Sequence, residues 1–255
     1  MRLDLRLEKT LFLLAVQFLT RLPVPRDLEF SDDLLIRATK YYPAVGALIG
    51  GIGALVLWLS SLALPQGAAV VLSMAATILA TGAFHEDGLA DSLDGLGGGL
   101  TRERSLEIMR DSRIGTYGSV ALLLALGLKA SLLMALPVWT AGLVLIANHT
   151  VSRMAVVHVI ATTDYARDKG AKFTVPTVTP EGYRVGIISA VLVLFLTGLW
   201  LGWVATFVIF AGSTALGQIF RAIYLRKLGG YTGDCLGGTQ QLAELGALLA
   251  VSVWL

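Results

Sequence analysis

Three aspartates, Asp87, Asp91 and Asp94, are the residues whose type and spacing most directly suggest chemistry. Steps of four and then three residues place all three carboxylates along one face of a helix. Stacked carboxylates repel one another unless a cation lies among them, and hard oxygen ligands suit magnesium or manganese. The spacing therefore predicts a metal site at these aspartates. The alternative is a solvated, acidic helix end.

A second polar cluster follows, in which Arg110 and Arg113 flank Asp111. Guanidinium groups can hold phosphate oxygens with two parallel hydrogen bonds, so this cluster predicts phosphate contacts beside a fourth carboxylate. The alternative is anchoring at a membrane surface with local ion pairs, which we favour for Arg102 and Arg104.

Further polar residues interrupt apolar stretches later in the chain. Arg153 lies four residues after His149, and ionisable groups inside an apolar span are normally functional, so we expect Arg153 to contact an anion. Asn148 and His158 are equally consistent with hydrogen bonding between helices. Arg167 adds a cationic donor, and Asp234 lies among glycines that let the backbone approach a ligand closely.

Composition indicates the elements that must position these residues. Of the 255 residues, 55% are hydrophobic and 15% charged, and the mean hydropathy of +0.73 is far above that of a soluble domain. We predict an all-α, polytopic membrane helix bundle forming a single domain over residues 1–255, with an N-terminal amphipathic interfacial helix within residues 1–42. About seven transmembrane helices are expected, at residues 43–64, 68–84, 117–136, 138–161, 185–202, 203–224 and 238–255.

The distribution of basic residues predicts the orientation of the chain. Eighteen of the 20 lysines and arginines fall in the N-terminal region and three long connections; Lys129 and Arg153 are the exceptions. Connections near residues 65–67, 137 and 200–203 are short and carry neither residue type. The positive-inside rule then places the N-terminus and the long loops, including a catalytic loop at 85–116, in the cytoplasm, with the chain in the cell inner membrane.

Several classes of protein are excluded by what the sequence lacks. It contains no phosphate-binding Gly-x-x-x-x-Gly-Lys-Ser/Thr loop and no zinc-ligand spacing. The single cysteine, Cys235, predicts a packing role. A formal net charge of +2 gives no indication of a nucleic-acid partner, so none is expected.

The motifs together resemble the cobalamin synthase family, the adenosylcobinamide-GDP ribazoletransferases. The blocks HEDGLADSLDG and IMRDSRIGTYG carry most of the resemblance. Shorter matches extend along the chain, at FLTRLPVP (18–25), YPAVG (42–46), SR (152–153), YAR (165–167) and TGD (232–234).

The resemblance implies a transferase that joins adenosylcobinamide-GDP to α-ribazole, or α-ribazole 5′-phosphate, and releases GMP. Mg²⁺ is the implied cofactor, with Asp87, Asp91 and Asp94 holding it on the diphosphate. Other implied partners are the lipid bilayer and either a second copy of the chain or neighbouring pathway enzymes. Phosphate or substrate contacts are expected from Arg110, Arg113, Arg153, Arg167 and Asp234.

The attacking ribose hydroxyl needs a base, and either His85 or Asp111 is suited to that task. Two alternative functions are a CDP-alcohol phosphotransferase, whose aspartate spacing differs, and a transporter, whose polar groups should lie near the bilayer midplane.

Overall fold

The structure is a computed structural model that describes residues 4–167 and 176–254. Within these ranges the regular secondary structure is helical, which confirms the all-α prediction. The α-helices are α1 (Leu5–Leu19), α2 (Asp32–Ala38), α3 (Tyr42–Ser61), α4 (Gln66–Thr81), α5 (Phe84–Gly98), α6 (Arg102–Ile108), α7 (Thr116–Ala135), α8 (Val138–Thr162), α9 (Pro180–Leu201), α10 (Trp203–Leu228) and α11 (Gly233–Trp254).

By length and composition, five helical segments of the described chain can cross a membrane, rather than about seven. They are α7, α8, α9, α10 and the continuous segment Asp32–Ser61 that contains α2 and α3. Helix α4 has 16 residues and bends by 86° into α5; the pair counts as a sixth span only if taken together. Because α5 leaves the axis of α4, its residues lie outside the five spans.

Helix α11, predicted as the last span, is not among the helices whose length and composition alone qualify them to cross a membrane. Its polar residues Gln240, Gln241 and Glu244 are at most 3% exposed, so they face other helices rather than lipid. Gly212 of α10 and Gly246 of α11 meet so closely that a Cβ on either would lie 2.2 Å from the other's carbonyl oxygen. Small residues of this kind let two helices pack backbone to backbone in a membrane.

The two ends of the bundle differ in composition. Helices α3 and α4, α7 and α8, and α9 and α10 are joined by residues 62–65, 136–137 and 202, which confirms the predicted short connections. All five tryptophans lie near this end, where their amphipathic rings suit a membrane–water interface. They are Trp58, Trp139, Trp200, Trp203 and Trp254.

The segment 85–116, predicted as the catalytic connection between two spans, is formed mainly by α5 and α6, and α5 has the helical conformation that the aspartate spacing predicts. Gly82 ends α4 with a φ of 68°, and Ala83 begins α5 with a φ of 59°. Two successive left-handed residues turn the chain sharply, after which α5 packs against α7 and α11. The N-terminal helix is confirmed as α1, and Glu8 fixes it to the bundle through Lys40 at 2.6 Å.

Candidate active site

Helix α5 presents the three predicted metal ligands in a gradient of burial. Asp87 is exposed, Asp91 is half-buried and Asp94 is buried. The helix therefore forms as the spacing predicted, but its three carboxylates do not share one environment.

The carboxylate of Asp94 is bound to the beginning of α7. Its Oδ2 accepts a hydrogen bond from the Gly115 N–H at 2.7 Å, and its Oδ1 accepts one from the Gly118 N–H at 2.9 Å. The first N–H groups of a helix lack partners within the helix, and a carboxylate satisfies them and favours the positive end of its dipole. Asp94 therefore caps α7 and fastens α5 to it.

Helix α11 begins beside the middle of α5. A Cβ on Gly88 would lie 2.9 Å from the Gly237 Cα, so the two backbones touch and bring Asp234 to the same surface. Burial and, to a smaller extent, the negative charges of Asp87, Asp234 and Asp94 together raise the pKa of Asp91 to about 7. We call Asp87, Asp91 and Asp234 the acidic face.

Two predicted site residues, Arg167 and Asp234, are brought together by a short backbone pairing. The Ala166 N–H donates to the Tyr231 carbonyl at 2.8 Å, and the Tyr231 N–H donates to the Asp164 carbonyl at 2.9 Å. Beyond this pairing, Arg167 Nη2 lies 2.7 Å from Asp234 Oδ2. A guanidinium group therefore lies at the edge of the acidic face.

The cluster around Asp111 is exposed and internally paired. Arg113 Nη2 lies 2.6 Å from Asp111 Oδ2, and its Nε lies 3.0 Å from Oδ1. These hydrogen bonds lower the pKa of Asp111 to about 2, so its carboxylate is a weak base in this arrangement. Arg110 is exposed, and its guanidinium is not within salt-bridge distance of any carboxylate in the described part of the chain.

Arg153 lies in the interior of the bundle, where another ion pair occupies it. Glu244 Oε1 lies 3.4 Å from Arg153 Nη1 and 2.8 Å from His149 Nδ1, while Oε2 accepts a hydrogen bond from Lys129 Nζ at 2.5 Å. We call Lys129, His149, Arg153 and Glu244 the buried charge cluster. Both basic residues that broke the predicted charge pattern thus pair with one glutamate, and an anion contact at Arg153 would compete with that pair.

Glutamine side chains extend this cluster to α5. Lys129 Nζ donates to Gln241 Oε1 at 3.0 Å, and Gln241 Nε2 donates to Glu86 Oε1 at 3.0 Å. Our reading of the sequence missed Glu244, Gln241 and Glu86. Charge pairing could have found Glu244, because it is the only acidic residue within the seven predicted spans and Lys129 and Arg153, in the middle of two of them, need a partner.

His85, one of the two predicted bases, lies on the buried side of α5. Its side chain is 4% exposed, and its ring contacts Phe84 edge to face at 5.3 Å. Two residues along a helix is roughly half a turn, so His85 and Asp87 point to opposite sides. Neither predicted base stands free beside the acidic face.

The acidic face fits a magnesium ion that shares its coordination with substrate. Among residues 4–167 and 176–254, no group of three His, Cys, Asp or Glu side chains is close enough to form a metal centre by itself. Magnesium is usually held by one or two carboxylates together with waters and substrate phosphates. Asp87 and Asp91 supply such oxygens, whereas the oxygens of Asp94 are already bound to backbone N–H groups.

Comparison with known proteins covers nearly the whole chain. A family model described as cobalamin-5-phosphate synthase matches residues 11–252. The adenosylcobinamide-GDP ribazoletransferase of Ralstonia nicotianae is 46% identical over 249 residues, which cover 94% of this chain and 94% of that protein. The protein of the same name from Shewanella sp. (strain W3-18-1) is 42% identical over 253 residues, covering 96% and 95%. No solved structure matches the chain.

Proposed function

This chain belongs to the cobalamin-5-phosphate synthase family, and from that premise we propose how its residues carry out the reaction of its relatives. It is an adenosylcobinamide-GDP ribazoletransferase, which joins adenosylcobinamide-GDP to α-ribazole or α-ribazole 5′-phosphate and releases GMP. Membership of this family argues against the alternative function, a CDP-alcohol phosphotransferase. The charges inside the bundle are paired with one another, so they do not favour a transport path.

The acidic face, at the end of the bundle away from the tryptophans, is the main support for placing the active site there. Asp87 and Asp91 of α5 and Asp234 of α11 gather there through the glycine contact between the two helices. Concentrated negative charge raises the free energy of this surface until a cation and a substrate phosphate neutralise it. Arg167 at its edge can contact an anion.

The reaction replaces one phosphorus–oxygen bond with another. A ribose hydroxyl of the acceptor attacks the phosphorus that bears the corrinoid, the bond from that phosphorus to GMP breaks, and the hydroxyl proton leaves to a base. A magnesium ion held by Asp87 and Asp91 would neutralise the developing charge on the diphosphate. Positioning and charge neutralisation supply most of the catalysis in such transfers.

Further residues of the chain orient the substrates. Arg167 lies close enough to the acidic face to hold a phosphate oxygen. Arg110 and Arg113 are solvent-exposed on the segment that Asp94 fastens to α5, so they can contact phosphate from a second side. The two candidate bases are Asp111, which is accessible, and His85, which is buried. The pH dependence of the rate of GMP release in Asp111→Asn and in His85→Gln distinguishes them, because only the variant that lacks the base loses that dependence.

We further propose that this end of the bundle faces the cytoplasm, with the protein in the cell inner membrane. Support comes from the basic residues near this end and the aromatic residues at the other.

The test is product formation by the purified protein in liposomes. Adenosylcobinamide-GDP, α-ribazole and magnesium should give GMP and adenosylcobalamin in equal amounts, and EDTA should stop both until magnesium is restored. Product formation that is unaffected by EDTA contradicts the metal proposal and leaves the transferase intact; absence of both products contradicts the transferase.

A further inference from the structure

The segment that follows α1 forms one wall of a cavity beside the acidic face. This cavity has a volume of about 440 Å³ and is lined by polar and backbone atoms on most of its surface. Volumes of this size accommodate small-molecule ligands. The lining residues are Phe18, Thr20, Arg21, Thr81, Gly82, Ala83, Phe84 and Asp87.

Arg21 is fixed in this wall by its own backbone. Its N–H donates to the Ala80 carbonyl at 2.7 Å, which ties the chain after α1 to the last turn of α4. Just before it, the Thr20 hydroxyl donates to the Val16 carbonyl at 2.7 Å and accepts from the Leu22 N–H at 3.1 Å. Phe18 and Phe84 meet edge to face with centroids 5.8 Å apart. The end of α1 and the beginning of α5 therefore form one rigid rim.

The side chain of Arg21 lies directly on the bend between α4 and α5. A Cβ added to Gly82 would lie 2.0 Å from Arg21 Nε and 2.8 Å from its Cδ. Glycine is thus required at this bend by its φ of 68° and by the space that Arg21 occupies.

The charge of Arg21 has no counter-charge among the residues that the structure describes. In residues 4–167 and 176–254 no carboxylate lies within salt-bridge distance of its guanidinium, although Asp87 lines the same cavity. Two other arginines near the acidic face are already paired, Arg167 with Asp234 and Arg113 with Asp111, whereas Arg110 is unpaired in these ranges like Arg21 but does not line this cavity. Arg21 is exposed, and an accessible guanidinium that lines a polar cavity and lacks a carboxylate partner among the described residues is complementary to a phosphate group.

We infer that Arg21 binds a phosphate group of a substrate and that the N-terminal segment is part of the active site as well as a membrane anchor. This inference rests on the proposed function, because Asp87 contributes to both sites. Two phosphates have the required chemistry. One is the diphosphate of the GDP-activated corrinoid, and the other is the 5′-phosphate of the phosphorylated acceptor.

Steady-state kinetics in liposomes distinguishes the two sources. Arg21→Gln should raise the KM of the substrate whose phosphate Arg21 holds by at least about tenfold, the size expected for loss of a hydrogen bond to a charged group. If the donor diphosphate is held, the KM of adenosylcobinamide-GDP rises with either acceptor. If the acceptor phosphate is held, the KM of α-ribazole 5′-phosphate rises and that of α-ribazole does not change.

Two further variants separate binding from folding. Arg21→Lys keeps the positive charge and should recover part of the lost affinity. Arg26→Gln removes an exposed arginine five residues away that does not line the cavity, and it should leave every KM unchanged. Unchanged KM values in Arg21→Gln, or an equal rise in Arg26→Gln, overturn the inference while leaving the transferase reaction in place.

A binding measurement covers the case in which the wild-type protein makes no product. Inorganic pyrophosphate with magnesium should raise the melting temperature of the wild-type protein and of Arg26→Gln, and raise it less for Arg21→Gln. Equal shifts in all three proteins overturn the inference without reference to turnover. A missing shift in the wild type also overturns it.

Discussion

The acidic face and the buried charge cluster both consist of ionisable residues, but they differ in exposure to water and in pairing. Glu244 is 1% exposed and is surrounded by Lys129, His149 and Arg153. On the acidic face, Asp87 is exposed and Asp91 is partly exposed, and neither has a basic residue within salt-bridge distance in the described part of the chain. A charge removed from water must be paired, whereas an accessible charge can remain available to a ligand.

Stability and function therefore depend on different charged regions. Paired charges in the interior hold α7, α8 and α11 together and are not accessible to a substrate. Unneutralised carboxylates at the surface destabilise one another and are suited to a metal and a phosphate. Both regions border α5, which carries Asp87 on the acidic face and, on another side, Glu86, which Gln241 links to the buried charge cluster.

Breaking the buried charge cluster should have the largest effect. Glu244→Ala leaves Lys129 and Arg153 buried without a counter-charge, and we expect it to lower the free energy of unfolding by about 3–5 kcal/mol. Thermal unfolding in detergent measures the loss. The double variant Glu244→Gln with Lys129→Gln should recover part of the lost stability. If Glu244→Ala is as stable as the wild type, the ion pairs of the cluster contribute nothing to stability.

Replacing a carboxylate of the acidic face should affect turnover and leave stability unchanged. Asp91→Asn or Asp87→Asn should reduce the rate of GMP release by at least about a hundredfold, because electrostatic stabilisation of the diphosphate is lost. The melting temperature should stay the same or rise, since mutual repulsion is relieved. A lower melting temperature with full activity contradicts the proposed role.

Asp94 lies between these two regions and should show an intermediate result. Asp94→Ala removes the cap on α7 and should lower the free energy of unfolding by about 1 kcal/mol, as for the loss of other helix caps. Comparison of its melting temperature with that of Asp91→Ala isolates the cap. Lost turnover at an unchanged melting temperature would instead favour the predicted role of Asp94 as a metal ligand.

The smallest effect is expected at the exposed Asp111–Arg113 pair. The pKa of Asp111 is lowered to about 2, so its stabilising contribution is present above the ordinary carboxyl pKa and is lost only as the pH falls towards 2. Asp111→Asn should therefore give the same dependence of melting temperature on pH as the wild type from pH 5 to pH 8. A divergence within that window contradicts the pairing.

The sequence predicted most of the helices because long apolar runs and charged connections report directly on membrane crossing. The aspartate spacing predicted the helix of α5, but not the bend at Gly82 and Ala83 that packs it against α7 and α11. The interior position of α11 was not predicted, because the partners that permit Glu244 to be buried lie on other helices. The burial of Cys235 is confirmed.

Residue types and local spacing predicted which residues belong to the site, but they did not predict the contacts and burial of those residues. The helical face of Asp87, Asp91 and Asp94 depends on spacing alone. The cap formed by Asp94 and the pairing of Arg153 depend on contacts across 24 and 91 residues, which local patterns do not contain. The place of Arg21 on the cavity wall likewise follows from the bend at Gly82, about 60 residues away.

Electron paramagnetic resonance of Mn²⁺, added in place of magnesium to liposomes containing adenosylcobinamide-GDP, tests the acidic face directly. We expect bound Mn²⁺ with coupling to phosphorus in the wild-type protein and in Asp111→Asn, and loss of that signal in Asp87→Asn and Asp91→Asn. An undiminished, phosphorus-coupled signal in both aspartate variants would contradict the assignment of the acidic face as the site where the diphosphate is cleaved.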